Sequence, residues 1–255
     1  MDGVTPVLLA VGTPHPLNIA GIGLDARIAA LVGVRLVTVV AGVSAQDARG
    51  VLARTALDSA TIAAQFAALR DLPIGAIHVG ALLDAASVRT VARALSAFAG
   101  VPVVCDPVIA ASSGERLADD AAIAALRDEL FARCTLVTPN LDEAALLVGR
   151  PIDGLDEMER AAQDLRSGGA GAVLLKGGHL KADPTDVLAT PDGVTRLGAK
   201  RVPGTLRGTG DLLACAIAAR LAYGDGLTAS IEAARAFVRG CLAAAVPFAG
   251  TRTIP

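Results

Sequence analysis

An α/β fold with a mainly parallel central sheet and helices on both faces is what this sequence predicts, and three observations predict it. Short, nearly continuous apolar runs such as Pro6 to Val11, Arg35 to Val40 and Gly75 to Val79 have the pattern of strands buried on both faces. Amphipathic stretches lie between them, long enough for the crossover that parallel neighbours need, about a dozen residues. Polar residues then recur where the runs end, the place at which open α/β sheets gather ligand groups.

Taken in order, Pro6 to Val11 ends at Gly12, and Thr13-Pro14-His15-Pro16-Leu17-Asn18 can form neither regular helix nor strand, since its two prolines stand two residues apart. A helix is expected over Ala20 to Leu31 and a second strand over Arg35 to Val40, with Gln46 and Asp47 just beyond it. The alternation continues with a helix near Asp58 to Leu69, a strand at Gly75 to Val79 and a helix over Ala85 to Phe98. In that helix Val88, Val91, Leu95 and Phe98 share one face, and Gly100 stops it. Pro102 to Cys105 is a strand running into Asp106-Pro107. Helix Asp119 to Leu130, strand Thr135 to Val137, short helix Asp142 to Leu147 and a helix near Met158 to Leu165 follow. Strand Ala172 to Leu175 leads into Lys176-Gly177-Gly178, a hairpin is expected around Pro191-Asp192-Gly193, and helices over Thr209 to Ala222 and Ala229 to Ala244 close the chain.

The 255 residues are 53% hydrophobic and 19% charged, which excludes a disordered chain, and the excess is alanine rather than aromatic residues, at 2%, so close helix packing is expected. With no linker, repeat or low-complexity tract, residues 1–255 are expected to form one domain. A net charge of −2 and no cluster of basic and aromatic residues argue against a nucleic-acid partner. Cys105, Cys134, Cys215 and Cys241 have no metal or disulfide spacing, and the three histidines form no ligand pattern. The N-terminus lacks a basic signal region and the apolar runs are too short to span a membrane, so a cytoplasmic protein without membrane attachment is expected.

One stretch carries most of the chemistry. In Gly204-Thr205-Leu206-Arg207-Gly208-Thr209-Gly210-Asp211 the glycines permit a tight turn whose N–H groups converge, and a helix opens directly after it, making an anion site. Asp211 on the first helical turn could accept a proton from an attacking hydroxyl while the amides take up charge on a transferred phosphate; it could equally be a plain acidic helix start. Asn140 and Glu143 are three apart, as oxygen ligands for magnesium or as a capping box. Lys176 ends a strand either as a point charge for phosphate or as a surface lysine, and Asp106 either starts a turn or polarises magnesium-bound water.

The stretches Cys105-Asp106-Pro107-Val108, Thr138-Pro139-Asn140-Leu141-Asp142-Glu143-Ala144, Leu174-Leu175-Lys176-Gly177-Gly178-His179 and Gly208-Thr209-Gly210-Asp211, in this order along nearly the whole chain, resemble the ribokinase-like small-molecule kinases. Within these they are most similar to the hydroxymethylpyrimidine and phosphomethylpyrimidine kinases of thiamine synthesis. The resemblance implies a ribokinase-like fold, ATP as co-substrate, magnesium as cofactor and a homodimer. It implies that Ala20, Asp25, Gln46 and Val108 hold the aminopyrimidine, and that Asp106, Asn140 and Glu143 organise magnesium and its waters. Lys176, Asn140 and Arg207 would serve ATP, the amides of Gly208, Thr209 and Gly210 would form the anion hole, and Asp211 would be the base. The sequence departs from the pyrimidine subfamily in three places. Asp211 stands where cysteine is usual and is what sugar and pyridoxal kinases carry, so pyridoxal or pyridoxine is the alternative substrate. Leu17-Asn18-Ile19 replaces a glycine-rich serine loop, a change that a non-catalytic pyrimidine-binding protein would tolerate, and Arg207 replaces a histidine.

Overall fold

The computed structural model describes residues 5–47, 49–111, 113–178 and 183–255, so His179 of the lysine-glycine motif lies outside the described residues. Its strands and helices alternate as β1 (Val7–Gly12), α1 (Gly21–Val32), β2 (Arg35–Val40), β3 (Gly42–Gln46), β4 (Val51–Ala56), α2 (Ser59–Leu69), β5 (Ile74–Val79), α3 (Ala85–Ala94), β6 (Val103–Cys105) and α4 (Asp120–Ala125). There follow β7 (Leu136–Val137), α5 (Leu141–Val148), α6 (Leu155–Ser167), β8 (Val173–Leu175), β9 (Thr185–Thr190), β10 (Gly193–Gly198), α7 (Thr209–Ala222), α8 (Leu227–Ala244), β11 (Val246–Phe248) and β12 (Thr251–Thr253).

Eight strands form one sheet in the order β10-β9-β8-β7-β6-β5-β1-β2. From β2 to β8 all neighbours are parallel, and β9 and β10 add an antiparallel edge. The period of two along each strand divides the core between two faces. Leu8, Ala76, Val104, Leu136 and Leu174 pack against α1, α7 and α8, while Leu9, Ile77, Val103, Val137 and Val173 pack against α2, α3, α4 and α6. Helix α7 is apolar all round, and Leu212 through Ala219 are all buried, because α1, α8 and the sheet enclose it. Among the described residues no helix is long and apolar enough to cross a membrane.

The sequence expectations needed two refinements of length. The Ala85 to Phe98 helix tightens into a 3-10 turn from Leu95, and the Asp119 to Leu130 helix widens into a π turn from Leu126. Two ribbons were not foreseen. Strands β3 and β4 pair antiparallel outside the main sheet, so Gln46 ends a projecting flap rather than following a strand of the parallel sheet. Strands β11 and β12 pair around Ala249 and Gly250, both at positive φ, as a tight hairpin turn requires.

Candidate active site

The chain leaves β1 to make β2 on one side and later returns to make β5 on the other, so the carboxyl ends of β1 and β5 flank a topological switch point, where doubly wound sheets open a crevice. A cleft of about 570 Å³, counting its open mouth, lies there. Its wall includes Thr13 and His15 after β1, Ala20 and Gly21 at the start of α1, Ser44 and Gln46 from the flap, Val108 after β6, and Arg207, Gly208 and Asp211. Thr13 Oγ1 donates to the Ala81 carbonyl at 3.1 Å and holds the two strand exits together.

The glycine turn has the geometry its sequence demands. Gly208, before α7, is left-handed at φ +77, and a Cβ there would overlap the Ile19 carbonyl oxygen and lie 2.7 Å from Leu24 Cδ2. At Gly210 a Cβ would stand 3.0 Å from both Asp106 Oδ2 and Lys176 Nζ, so the backbone approaches these charges closely and a larger residue would have to push them aside. No side chain caps α7, which leaves its amino end to a ligand. The turn is braced from behind by the terminal ribbon, where the Arg207 N–H donates to the Arg252 carbonyl at 3.0 Å.

Asp211, 8% exposed, lies between two helix starts: it is on the first turn of α7, and its Oδ2 accepts the Gly21 N–H of α1 at 3.1 Å. Burial, with the Asp106 and Asp25 carboxylates, raises its pKa to about 7 against the opposing pull of His78 and that N–H. A carboxylate in this range can take up a proton at neutral pH.

The strand-end residues form one charged group. Lys176 Nζ donates to Asp106 Oδ1 at 2.6 Å, and Thr138 Oγ1 donates to the same oxygen at 3.0 Å. Asn140 and Glu143 complete a capping box, with Asn140 N–H to Glu143 Oε2 at 2.8 Å and Glu143 N–H to Asn140 Oδ1 at 2.9 Å. Glu143 is buried, and its pKa is raised to about 7 by desolvation; Lys176 opposes this, while Asp106 and Asp211 add to it. Lys176 is no surface lysine: burial would lower its pKa, and Asp106 with Glu143 raises it instead.

Asp25 has a deeper setting than the other residues expected around the substrate. Expected at the pyrimidine edge, it is 2% exposed and absent from the cleft wall. It lies one turn of α1 beyond Gly21, roughly 6 Å deeper, with Oδ2 at 3.1 Å from Nδ1 of His78, a residue of β5 that the sequence did not single out. Burial would lower the His78 pKa, but Asp25, with Asp211 and Asp106, raises it to about 9. Cys215 completes a set of ligand-type atoms within 4.8 Å of one another. With Asp25 and His78 hydrogen-bonded to each other, the group forms a buried polar pair beside Asp211. The sequence signal was a lone basic side chain in an apolar strand. Arg207, expected with ATP, lines the same cleft as Ala20, Gln46 and Val108. His15 in the cleft wall was also not singled out.

Residues 17–253 match the sequence model of the phosphomethylpyrimidine kinase family. A hydroxymethylpyrimidine/phosphomethylpyrimidine kinase of Rhizobium meliloti is 37% identical over 246 residues, 95% of this chain and 92% of the relative. The crystal structure of phosphomethylpyrimidine kinase from Clostridium difficile superposes with a TM-score of 0.82 at 25% identity, over 92% of this chain and 99% of that one. An ADP complex of Bacillus subtilis pyridoxal kinase superposes at 0.89 with 26% identity, over 98% and 97% of the two chains. With the match extending over nearly the whole sequence and the glycine turn, the Asp106–Lys176 pair and the cleft assembled at one end of a ribokinase-like sheet, the chain belongs to the phosphomethylpyrimidine kinase family.

Proposed function

We propose that this protein transfers the γ-phosphoryl group of ATP to 4-amino-5-hydroxymethyl-2-methylpyrimidine, and then to the resulting monophosphate, in thiamine biosynthesis. The observation that carries the reading is Asp211: a buried carboxyl with a pKa of about 7, at an open helix start, in the wall of a cleft shared with Ala20, Gln46 and Val108. The name of the Rhizobium meliloti relative supports the substrate, and the ADP complex of the Bacillus subtilis protein supports the phosphoryl donor.

In the first transfer the hydroxymethyl oxygen forms a bond to the γ-phosphorus, the bond from that phosphorus to the β–γ bridging oxygen breaks, and ADP leaves with the electron pair. The hydroxyl proton passes to Asp211. Backbone N–H groups of the Gly208 to Asp211 turn, with Lys176, stabilise charge on the phosphoryl oxygens, and Gly210 gives that group room beside Asp106 and Lys176. The donor set suits magnesium: Asp106 Oδ2 and Glu143 are hard oxygen ligands, and a dication would relieve the desolvation that drives the Glu143 pKa upward. Asp106, Asn140 and Glu143 would hold the ion and its waters, and magnesium when bound neutralises charge on the phosphates.

Pyridoxal is the second reading, favoured by the Bacillus subtilis superposition and by Asp211 itself. An ADP-release assay over pyrimidine, pyridoxal and sugar alcohols decides between them. The pyrimidine alcohol should give the highest kcat/KM, and a preference for pyridoxal would replace the leading reading. We further infer a homodimer in the cytoplasm, since Val43 and Leu52 leave the flap with apolar side chains 48% and 75% exposed that a second copy would cover. Sedimentation should give twice the 25.5 kDa chain mass, and a monomer at micromolar concentration would overturn the dimer.

A further inference from the structure

Where β8 ends at Leu175 its backbone ladder with β9 ends too, the last pair being Leu175 with Val187. Just beyond it the buried Gly177 N–H is taken up by a side chain instead, donating to Asp186 Oδ1 at 2.9 Å. The other carboxylate oxygen of Asp186 accepts Arg235 Nε of α8, also at 2.9 Å, and the two side chains are only 14% and 18% exposed. The planar fork of Arg235 is used twice, since its Nη2 donates to the Leu197 carbonyl of β10. A pair this enclosed is weakly screened by solvent, and its bonds to three strands' ends and one helix fix both side chains.

What the pair holds is the strand exit that presents Lys176. On the opposite flank the Lys176 N–H donates to the Pro139 carbonyl at 2.8 Å, so the backbone at 176–177 is gripped from β7 on one side and from Asp186 on the other. From there Lys176 Nζ reaches Asp106 and lies beside Gly210 of the anion turn. A second arm of α8 supports the same place. Arg239, one turn after Arg235 and on the same face, donates to the Lys200 carbonyl, and the adjacent Arg201 donates to the Gly178 carbonyl at 3.2 Å. Helix α8 also packs along α7, which opens at the anion turn, so one helix sets both the turn and the lysine in a common frame.

We propose that Asp186 and Arg235 are a positioning pair of this kinase, fixing the Gly177 amide so that Lys176 meets the phosphates of ATP at the anion turn. The inference rests on the ATP-dependent reading of the site, and binding and turnover are measured separately so that the two can fail separately. ATP affinity in the presence of magnesium is read by calorimetry without acceptor, and steady-state constants are read with the pyrimidine alcohol. The proteins are wild type, Asp186→Ala, Arg235→Met, Arg235→Lys and the double variant of Asp186→Ala with Arg235→Met, each at a temperature where it is folded. Asp186→Ala should weaken ATP binding and lower kcat/KM for ATP by about tenfold or more, as small misplacements of a phosphate-binding group do, with the KM for the pyrimidine alcohol unchanged. Arg235→Met should give a smaller loss in the same constants, and Arg235→Lys should recover part of it. Because Arg235 acts through Asp186, the double variant should be no worse than Asp186→Ala alone. A merely structural pair would lower the melting temperature and leave the ATP constants near those of wild type; that result would overturn the proposal, as would losses that multiply in the double variant. Wild type that binds ATP without turning over the pyrimidine would overturn the substrate reading, and the calorimetric series would then decide the pair, an undiminished ATP affinity in Asp186→Ala rejecting it. Wild type that binds no ATP would overturn both. Should Asp186→Ala fail to fold, Arg235→Met and Arg235→Lys decide alone: a loss with methionine that lysine recovers supports the pair, and no loss with methionine rejects it.

Discussion

Asp211→Asn is expected to lower kcat for the pyrimidine alcohol by about 10² to 10⁴ while leaving the KM for ATP nearly unchanged. The substitution keeps the shape of the side chain, and an amide oxygen can still accept the Gly21 N–H that now bonds Oδ2. Gly208 and Gly210, which set the turn, are untouched. Stability should not fall. The folded-state pKa of Asp211 is about 7, above the ordinary carboxyl value, so its contribution to stability is full at low pH and is lost as pH rises through 7. At pH 8 a neutral Asn removes a buried charge, and the melting temperature should hold or rise. The wild-type rate should climb with pH through about 7, as the carboxylate forms, and the residual activity of the variant should lack that limb. A retained limb would assign it to another group, and full activity would remove Asp211 from the base role.

The two transfers should respond differently to this variant. The nucleophile of the first is a hydroxyl whose proton must be taken, whereas the nucleophile of the second is a phosphate oxygen already largely ionised at pH 7, given a second pKa near 6. An un-ionisable Asn also removes like-charge repulsion against the incoming monophosphate. The loss in kcat should therefore be confined mainly to the first step, which single-turnover assays on each substrate would resolve.

The chemistry most legible in the sequence was of the kind fixed by local backbone. Gly208-Thr209-Gly210-Asp211 reads as a turn followed by a helix start because glycine readily takes the left-handed φ found at Gly208, where a Cβ would also overlap the Ile19 carbonyl oxygen. The parallel sheet was equally legible, since β1, β5 and β6 are apolar on both faces and α3 and α6 have an apolar stripe. What stayed hidden depends on tertiary placement. The β4 strand, exposed along most of its length, has no buried face to impose a period on Val51–Ala56, so the flap and the true setting of Gln46 were not visible. The direction in which Asp25 points is set by the rotation of α1 against β5, which also supplies His78; spacing along one chain contains neither fact. For Asn140 and Glu143 the spacing was compatible with capping and with oxygen ligation alike, and the capping bonds are formed whether or not an ion is added.

Lys176→Met should give the largest loss of stability among single changes in this site. Its side chain is 13% exposed, and the ammonium pairs at 2.6 Å with an Asp106 side chain that is 4% exposed, with Glu143 and Asp211 lying within the same field. Methionine fills similar volume, so packing is largely kept and the effect isolates the charge. Removing one partner of a buried pair typically costs about 3–5 kcal/mol, because the remaining charge keeps its desolvation without its attraction. Part of this loss is relieved by protonation, which gives the variant a pH signature. Glu143 already has its pKa raised to about 7, with Lys176 among the influences that hold it down, so without the lysine it rises further. A carboxyl whose folded pKa exceeds its unfolded value binds more protons in the native state, and stability then falls as pH increases between the two values. The deficit relative to wild type should accordingly be larger at pH 8 than at pH 6, in melts recorded without nucleotide or divalent cation. A pH-independent deficit would mean that lost packing rather than an uncompensated charge dominates, and a deficit below about 1 kcal/mol would place the pair with ordinary surface salt bridges.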